Sequence, residues 1–472
     1  MYKKIVTFVF VLTAAAVISA QSGRILEPNG NPAAGSLATM SVADLFTKAS
    51  NYHLDRFTEL EEKNAPYNEA VHRQVFEDQK LLAAKFAAEI SSRSGLKTED
   101  HYYLGRLQWL AANREKALES FEIFLSGKPV DESYAQTARA VVVDITAKNG
   151  ELEKAETVLA EYLKGQPVKT SEVAAMRKQM ALSYGVKGNY ESAAAHAEAA
   201  FDATKTLLFE LSSRAKALTL LLDSGLTVFE VQSKLGNRSE AEKSLVSLRR
   251  YAANVGSHAV YYRALDEHIR YLINTGRRTE ALKMYEDSGA LLDAEIESKP
   301  IRSAVRLKLE KRRIHYQILG TDAPELEFVD AFIPREEFKL SQLKGKVVLL
   351  DFWATWCGPC YAAFPRLTEW HETFKDDGLV ILGVTRYYSE NSEKLSVRRN
   401  ELSMLKNFKA EYNLPYPFVV AENQTNQIKY GALSLPTAVI IDRSGKIRFV
   451  DSGTSDSRED QIENMIRLLL SE

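Results

Sequence analysis

Cys357 and Cys360 are the only cysteines in a chain of 472 residues, and they stand in Trp356-Cys357-Gly358-Pro359-Cys360 directly after the apolar run Val347-Val348-Leu349-Leu350-Asp351-Phe352. Two thiols at this spacing after a strand point to redox exchange rather than to a scaffold of disulfides. The strand-to-helix context puts Cys357 at a helix start, where unpaired N–H groups and the helix dipole favour the thiolate and make it the attacking sulfur. Pro359 suits the first helical turn because it needs no N–H partner there, and Gly358 permits the tight entry. Cys360, one turn on, is placed to break the mixed disulfide. A bridge closing so small a loop contributes little as a staple. A zinc pair would need a second C-x-x-C or a nearby His pair, and the sequence has neither. Asp351, inside the apolar run, should have its charged form disfavoured and its pKa raised toward values useful for moving a proton to or from Cys360. The plainer role for such an aspartate is to cap a strand end.

The elements around the pair read as an α/β sheet. Strands are expected at 347–352, 379–384, 418–421, 438–441 and 447–451, the last two joined by Arg443-Ser444-Gly445-Lys446. Helices are expected at 359–374, 393–412 and 456–470. The change of character falls at Gly320-Thr321-Asp322-Ala323-Pro324, so 322–472 forms one domain.

Residues 41–318 read as helical, with apolar residues at three and four spacing and almost no proline. Ala117, Ala155, Ala193, Ala241 and Ala281 recur at intervals of 38, 38, 48 and 40 residues. Four of them follow a glycine by five residues (Gly150, Gly188, Gly236, Gly276), and Phe121, Leu159, Leu245 and Tyr285 stand four residues after four of them. A small residue lets two helices cross closely, the glycine turns the chain, and Pro129 and Pro167 stop the first two units. A generic antiparallel helical bundle is the other reading of this region.

Composition excludes some classes of partner. Lys plus Arg (61) nearly cancels Asp plus Glu (63), so no net field favours nucleic acid or an anionic membrane surface. Residues 1–20 read as a targeting segment: Lys3 and Lys4, an apolar stretch from Ile5 to Ile18, and Ser19-Ala20 as a cleavage site. Export to a periplasmic or other extracytoplasmic compartment follows, with a membrane anchor instead if the segment is not cleaved. Residues 21–40 read as a flexible leader.

Asp351-Phe352-Trp353-Ala354-Thr355-Trp356-Cys357-Gly358-Pro359-Cys360 resembles a thioredoxin-fold active site, and Leu435-Pro436-Thr437 followed by Ile440 to Lys446 resembles that fold's proline loop and terminal hairpin. With Ala323-Pro324, Leu343 to Lys346 and Phe364-Pro365, the segment 322–472 is similar to the exported TlpA/ResA branch of thiol-disulfide oxidoreductases. That branch often carries a glutamate before its Phe-Pro, where this chain has Ala363. Leu104, Gly105, Ala117, Phe121 and Pro129 fall at the spacing of the tetratricopeptide pattern, and a looser likeness covers about 101–290. The resemblances imply a multidomain protein, an all-α tetratricopeptide-like repeat region followed by an α/β thioredoxin-fold domain. They imply a redox-active disulfide between Cys357 and Cys360, Asp351 as the acid beneath it, and a cis bond at Leu435-Pro436 facing it. Trp356, Gly358, Pro359, Leu435 and Pro436 would then contact the client.

The expected activity is exchange with protein thiol and disulfide clients that the helical region helps choose, with no cofactor or metal. The Gly-Pro dipeptide, thioredoxin's own, inclines the reading to a reductant, fed by a membrane electron donor that the resemblance implies. The alternative is a helical-repeat adaptor whose thioredoxin-like domain only recognises. A peroxidase of the related peroxiredoxin group would need a proline where Leu350 stands.

Overall fold

The computed structural model describes residues 37–65, 68–208, 214–332, 338–389 and 394–472. The expected targeting segment 1–20 and most of the expected leader lie outside the described residues. Those residues fall into two compact units, one ending at Ser183 and the other running from Tyr184 to Glu472.

The first unit holds α1 (Val42–Glu62), α2 (Glu69–Ser91), α3 (Thr98–Leu110), α4 (Arg114–Ser126), α5 (Glu132–Asn149), α6 (Leu152–Lys164) and most of α7 (Thr170–Val186). From α1 to α6 each helix packs against the next. Gly105 sits where a Cβ would come within 2.9 Å of the Phe121 ring, so α3 and α4 approach closely there because the side chain is missing. The end of the expected leader is seated on this unit: Leu37 is buried, and Arg93 donates to the carbonyls of Leu37 at 2.7 Å and Met40 at 2.8 Å.

The second unit begins with α8 (Tyr190–Leu207), α9 (Arg214–Lys234), α10 (Arg238–Asn254), α11 (His258–Asn274), α12 (Arg278–Glu286), α13 (Ser288–Glu295) and α14 (Lys299–Ile318). The recurrent alanines 117, 155, 193, 241 and 281 are each wholly buried. The four glycines ahead of them take left-handed φ of 79°, 77°, 75° and 81°. Each closes its helix with the same pair of bonds, as in Gly150 N–H to the Ala147 carbonyl and Glu151 N–H to the Thr146 carbonyl, at 3.0 and 2.9 Å. Repetition in sequence is therefore repetition of one physical turn.

A sheet completes the second unit. Its strands are β1 (Asp330–Phe332), β2 (Val347–Phe352), β3 (Leu379–Arg386), β4 (Phe418–Ala421), β5 (Thr437–Ile441) and β6 (Ile447–Ser452), in the order β1-β4-β3-β2-β5-β6. β2, β3 and β4 run parallel, and β1, β5 and β6 pair antiparallel to their neighbours. The helices are α15 (Gly358–Phe374), α16 (Leu395–Glu411), the short α17 (Thr425–Lys429) and α18 (Asp456–Ser471). β2 is central and buried along its whole length, which is why it reads as an unbroken apolar run. Its Val347 and Leu349, with Trp353 just past its end, face a core built with α15, α16 and α18. The period of two places Asp351 on that same face.

The junction after the helices is not a free linker. Gly320 and Ala323 N–H groups donate to Ile447 and Gly445 at 2.7 and 2.9 Å, and Ile447 N–H donates back to Thr321 at 2.9 Å. The junction thus covers the outer edge of β6 and satisfies backbone groups that an open edge would expose.

Candidate active site

Cys357 is the N-cap of α15, with Gly358 and Pro359 in the first turn and Cys360 one residue further. The two sulfurs are joined in a disulfide, with Cα atoms 5.4 Å apart. The Cys360 N–H donates to the Cys357 carbonyl at 3.0 Å, and the Tyr361 hydroxyl ties the turn down by donating to the Thr355 carbonyl. Phe352 and Trp353 are wholly buried, and Trp353 packs against Phe364, Phe408 and Phe418. Trp356 is 64% exposed and meets the Tyr388 ring edge-on at 5.3 Å between centroids. Ala363, where the related branch often has glutamate, is a core residue of α15.

Asp351 lies near the end of β2, 3% exposed, and its Oδ2 has no hydrogen-bond partner. Burial pushes its pKa up from 3.8 to about 7, against a smaller opposing pull from the Arg458 guanidinium. Arg458, on α18, is itself buried, donates to the Asp451 carbonyl at 3.0 Å, and leaves its Nε without a partner. Burial lowers its pKa, opposed by Asp451 and Asp351. Tyr416, just ahead of β4, is the other titratable group beside the acid, and burial raises its pKa strongly, with Asp351 adding to the rise.

The Leu435–Pro436 peptide bond is cis. Trp356, Cys357, Gly358, Pro359 and Leu435 line one groove of about 270 Å³, which Arg386, Tyr388, Gln424, Gln427, Ala432 and Leu433 complete. The structure thus brings Trp356, Gly358, Pro359 and Leu435 together around Cys357, while Asp351 is buried in β2 and does not line that groove. Arg386, Tyr388, Gln427, Arg458 and Tyr416 are the members that sequence reading missed. Each comes from an element remote in sequence, with no spacing to mark it.

This fold and site define a thioredoxin-fold domain carrying a cysteine pair at a helix start, with a buried acid on the preceding strand. The model of the AhpC/TSA family matches residues 319–450. The thiol-disulfide oxidoreductase ResA of Bacillus thuringiensis strain Al Hakam is 30% identical over 149 residues, covering 32% of this chain and 77% of that protein. Its counterpart from Bacillus subtilis strain 168 is 34% identical over 135 residues, covering 29% of this chain and 68% of its own length. A crystal structure of a thioredoxin-family thiol:disulfide interchange protein from Chlorobium tepidum TLS aligns with 32% of this chain and 96% of its own at 23% identity, with a TM-score of 0.26. The chain belongs to the ResA-like thiol-disulfide oxidoreductases, and it is an enzyme of that class.

Proposed function

We propose that the protein is an exported reductant of protein disulfides in which Cys357 attacks, Cys360 resolves and Asp351 moves a proton to or from Cys360. The observation that carries this reading is the cysteine pair at the start of α15, with Cys357 lining a groove, and it is supported by a buried acid on the preceding strand with a pKa of about 7. In the reduced protein the Cys357 thiolate attacks one sulfur of a client disulfide, forming a mixed disulfide and releasing a client thiolate. The Asp351 carboxylate takes the proton from Cys360, whose thiolate then attacks the Cys357 sulfur. The internal disulfide forms, the second client thiol leaves, and two electrons have passed to the client. A dithiol donor held at the membrane would return the pair to the reduced state.

Export is supported by the sequence of residues 1–20. Among the described residues no helix is long and apolar enough to cross a membrane. Client selection is assigned to the helices, which repeat a buried alanine and, in four of the five units, a glycine turn, and leave side chains to present. A peroxidase is disfavoured because Leu350 lies in the middle of β2 between β3 and β5, where proline would lack the N–H that a ladder uses.

The test is reduction of insulin disulfides by the purified full chain, with Cys357→Ala abolishing it. Cys360→Ser should accumulate mixed disulfides with clients in the exported compartment. Client binding without any reduction by the wild type would favour the adaptor, and peroxide consumption would favour the peroxidase.

A further inference from the structure

We infer that the groove beside Cys357 selects an extended client segment whose cysteine is flanked by an acidic residue, with Arg386 as the counter-ion. This rests on the client-exchange reading above and names the substrate class for that site. Arg386 ends β3 at the rim where the cysteine pair stands, and it lines the same groove as Cys357. Its guanidinium is fixed from three sides. Nε donates to Gln427 at 3.0 Å, Nη1 donates to the Tyr387 carbonyl at 3.2 Å, and the group lies 4.0 Å above the Tyr388 ring. The Gln427 amide in turn donates to the Tyr388 hydroxyl at 3.0 Å, closing the arrangement.

Among the described residues no carboxylate is ion-paired to Arg386. The nearby Glu401 is engaged by the backbone N–H groups of Tyr388 and Ser389 at 2.8 and 3.1 Å. A guanidinium held in place by neutral partners offers its charge to the groove without the entropy cost of ordering a free side chain. Asp351, the acid closest to the cysteines in sequence, is buried and does not line the groove. The flanks are apolar: Trp356 is 64% exposed on one side and Leu433 66% on the other. A groove that combines exposed apolar side chains, Gln424 and Gln427, one fixed cation and the reactive sulfur fits a polypeptide strand, with a carboxylate beside its cysteine and an apolar residue beyond it.

The experiment uses the reduced full chain and three peptides that differ only in Glu, Gln or Lys beside a cysteine held as a disulfide with one small thiol. Each rate is divided by that of dithiothreitol on the same peptide, which removes the intrinsic effect of the charge on the disulfide. The Glu peptide should react about threefold to fivefold faster than the Gln peptide, the range of a partly exposed ion pair, and the Lys peptide more slowly than either. The Glu-to-Gln ratio should fall to about one in Arg386→Gln, and toward one in the wild type at about 0.5 M salt, where the Debye length is only a few ångströms. Equal rates for Glu and Gln in the wild type at low salt, or an acidic preference that survives both Arg386→Gln and salt, would overturn the inference while leaving the exchange mechanism standing. Failure to reduce any peptide, and insulin as well, would overturn the exchange reading and this inference with it.

Discussion

Arg312 of α14 and Asp451 of β6 form an ion pair at 2.8 Å, so a helix of the helical layer is bonded directly to the sheet that carries the cysteines. The same guanidinium donates to the Val450 carbonyl at 3.2 Å and reaches Asp266 of α11 at 3.4 Å. Asp266 also accepts from the Tyr316 hydroxyl at 2.6 Å. His315 extends the seam, its Nε2 donating to the Gly431 carbonyl at 3.0 Å. Asp451 therefore receives α14 on its side chain and Arg458 of α18 on its carbonyl, and Arg458 stands beside Asp351. The buried acid of the site and the last helices of the helical layer are tied to one strand.

Removing Arg312 should be costly. Burial by itself would raise the Asp266 pKa, yet Arg312, Arg270 and the Tyr316 hydroxyl outweigh it and hold the carboxyl below its ordinary 3.8. Arg312→Met leaves a buried carboxylate with too little compensation, for an expected loss of about 3 to 5 kcal/mol in urea unfolding at neutral pH. A depressed pKa contributes stability above the ordinary value and loses it as pH falls through the native one. The difference between wild type and variant should accordingly shrink only in strong acid. A loss within about 0.5 kcal/mol, the range of ordinary surface changes, would contradict the seam.

Asp351 carries the opposite sign. Its native pKa of about 7 lies above the ordinary 3.8, so the folded chain binds the extra proton between those values and its stability falls as pH rises through that window. Asp351→Asn removes the penalty. The variant should be more stable than wild type above about pH 7, by a few kcal/mol at about 1.36 kcal/mol for each tenfold change in proton affinity, and no more stable near pH 3. It should also reduce insulin more slowly, since no carboxylate receives the Cys360 proton. A variant with unchanged stability across pH would mean the acid is solvated, and an unchanged rate would remove it from the proton step.

The sequence made the period-two and period-three-to-four patterns legible wherever burial imposes them. β2, β4, α15 and α18 fall within a residue or two of their expected bounds, because an apolar run such as Val347–Phe352 has few other uses. β1 was not legible. It is a three-residue edge strand whose place comes from pairing with β4 and from Asp330, which Arg398 and Tyr387 hold at 2.9 and 2.7 Å. The site divides the same way. Cys357, Cys360 and Asp351 sit on adjacent elements and announce themselves by spacing. Arg386, Gln427 and Arg458 join them only once β3, α17 and α18 are folded.

Arg458 should tune the acid without touching the client. Its positive charge is the one favourable influence opposing the desolvation of Asp351, so Arg458→Gln should move the acid's titration above about 7. The alkaline-going rise in reduction rate should shift to higher pH in the variant, whereas a purely structural loss would lower the rate at every pH without moving the midpoint. Because Arg458 also holds the Asp451 carbonyl, the profile rather than the absolute rate is the measurement that decides.

The helical turns offer a test that needs no chemistry. Counting five residues back from Ala117 gives Ala112, where the other four units have glycine. Ala112 nevertheless takes the same left-handed conformation, with φ of 59°, and makes the same closing bonds: its N–H to the Trp109 carbonyl at 3.0 Å and the Asn113 N–H to the Gln108 carbonyl at 2.8 Å. An L-residue with a Cβ pays about 1 to 2 kcal/mol in that conformation. Glycine avoids this but gives up about 0.5 to 1 kcal/mol in chain entropy. Ala112→Gly should therefore stabilise the full chain by about 0.5 to 1 kcal/mol, and Gly150→Ala, the reverse change at the next turn, should destabilise it by a similar amount. Urea unfolding of the two variants beside the wild type decides the matter: shifts of the same sign in both would mean that the turn is not the shared device that the sequence repeats.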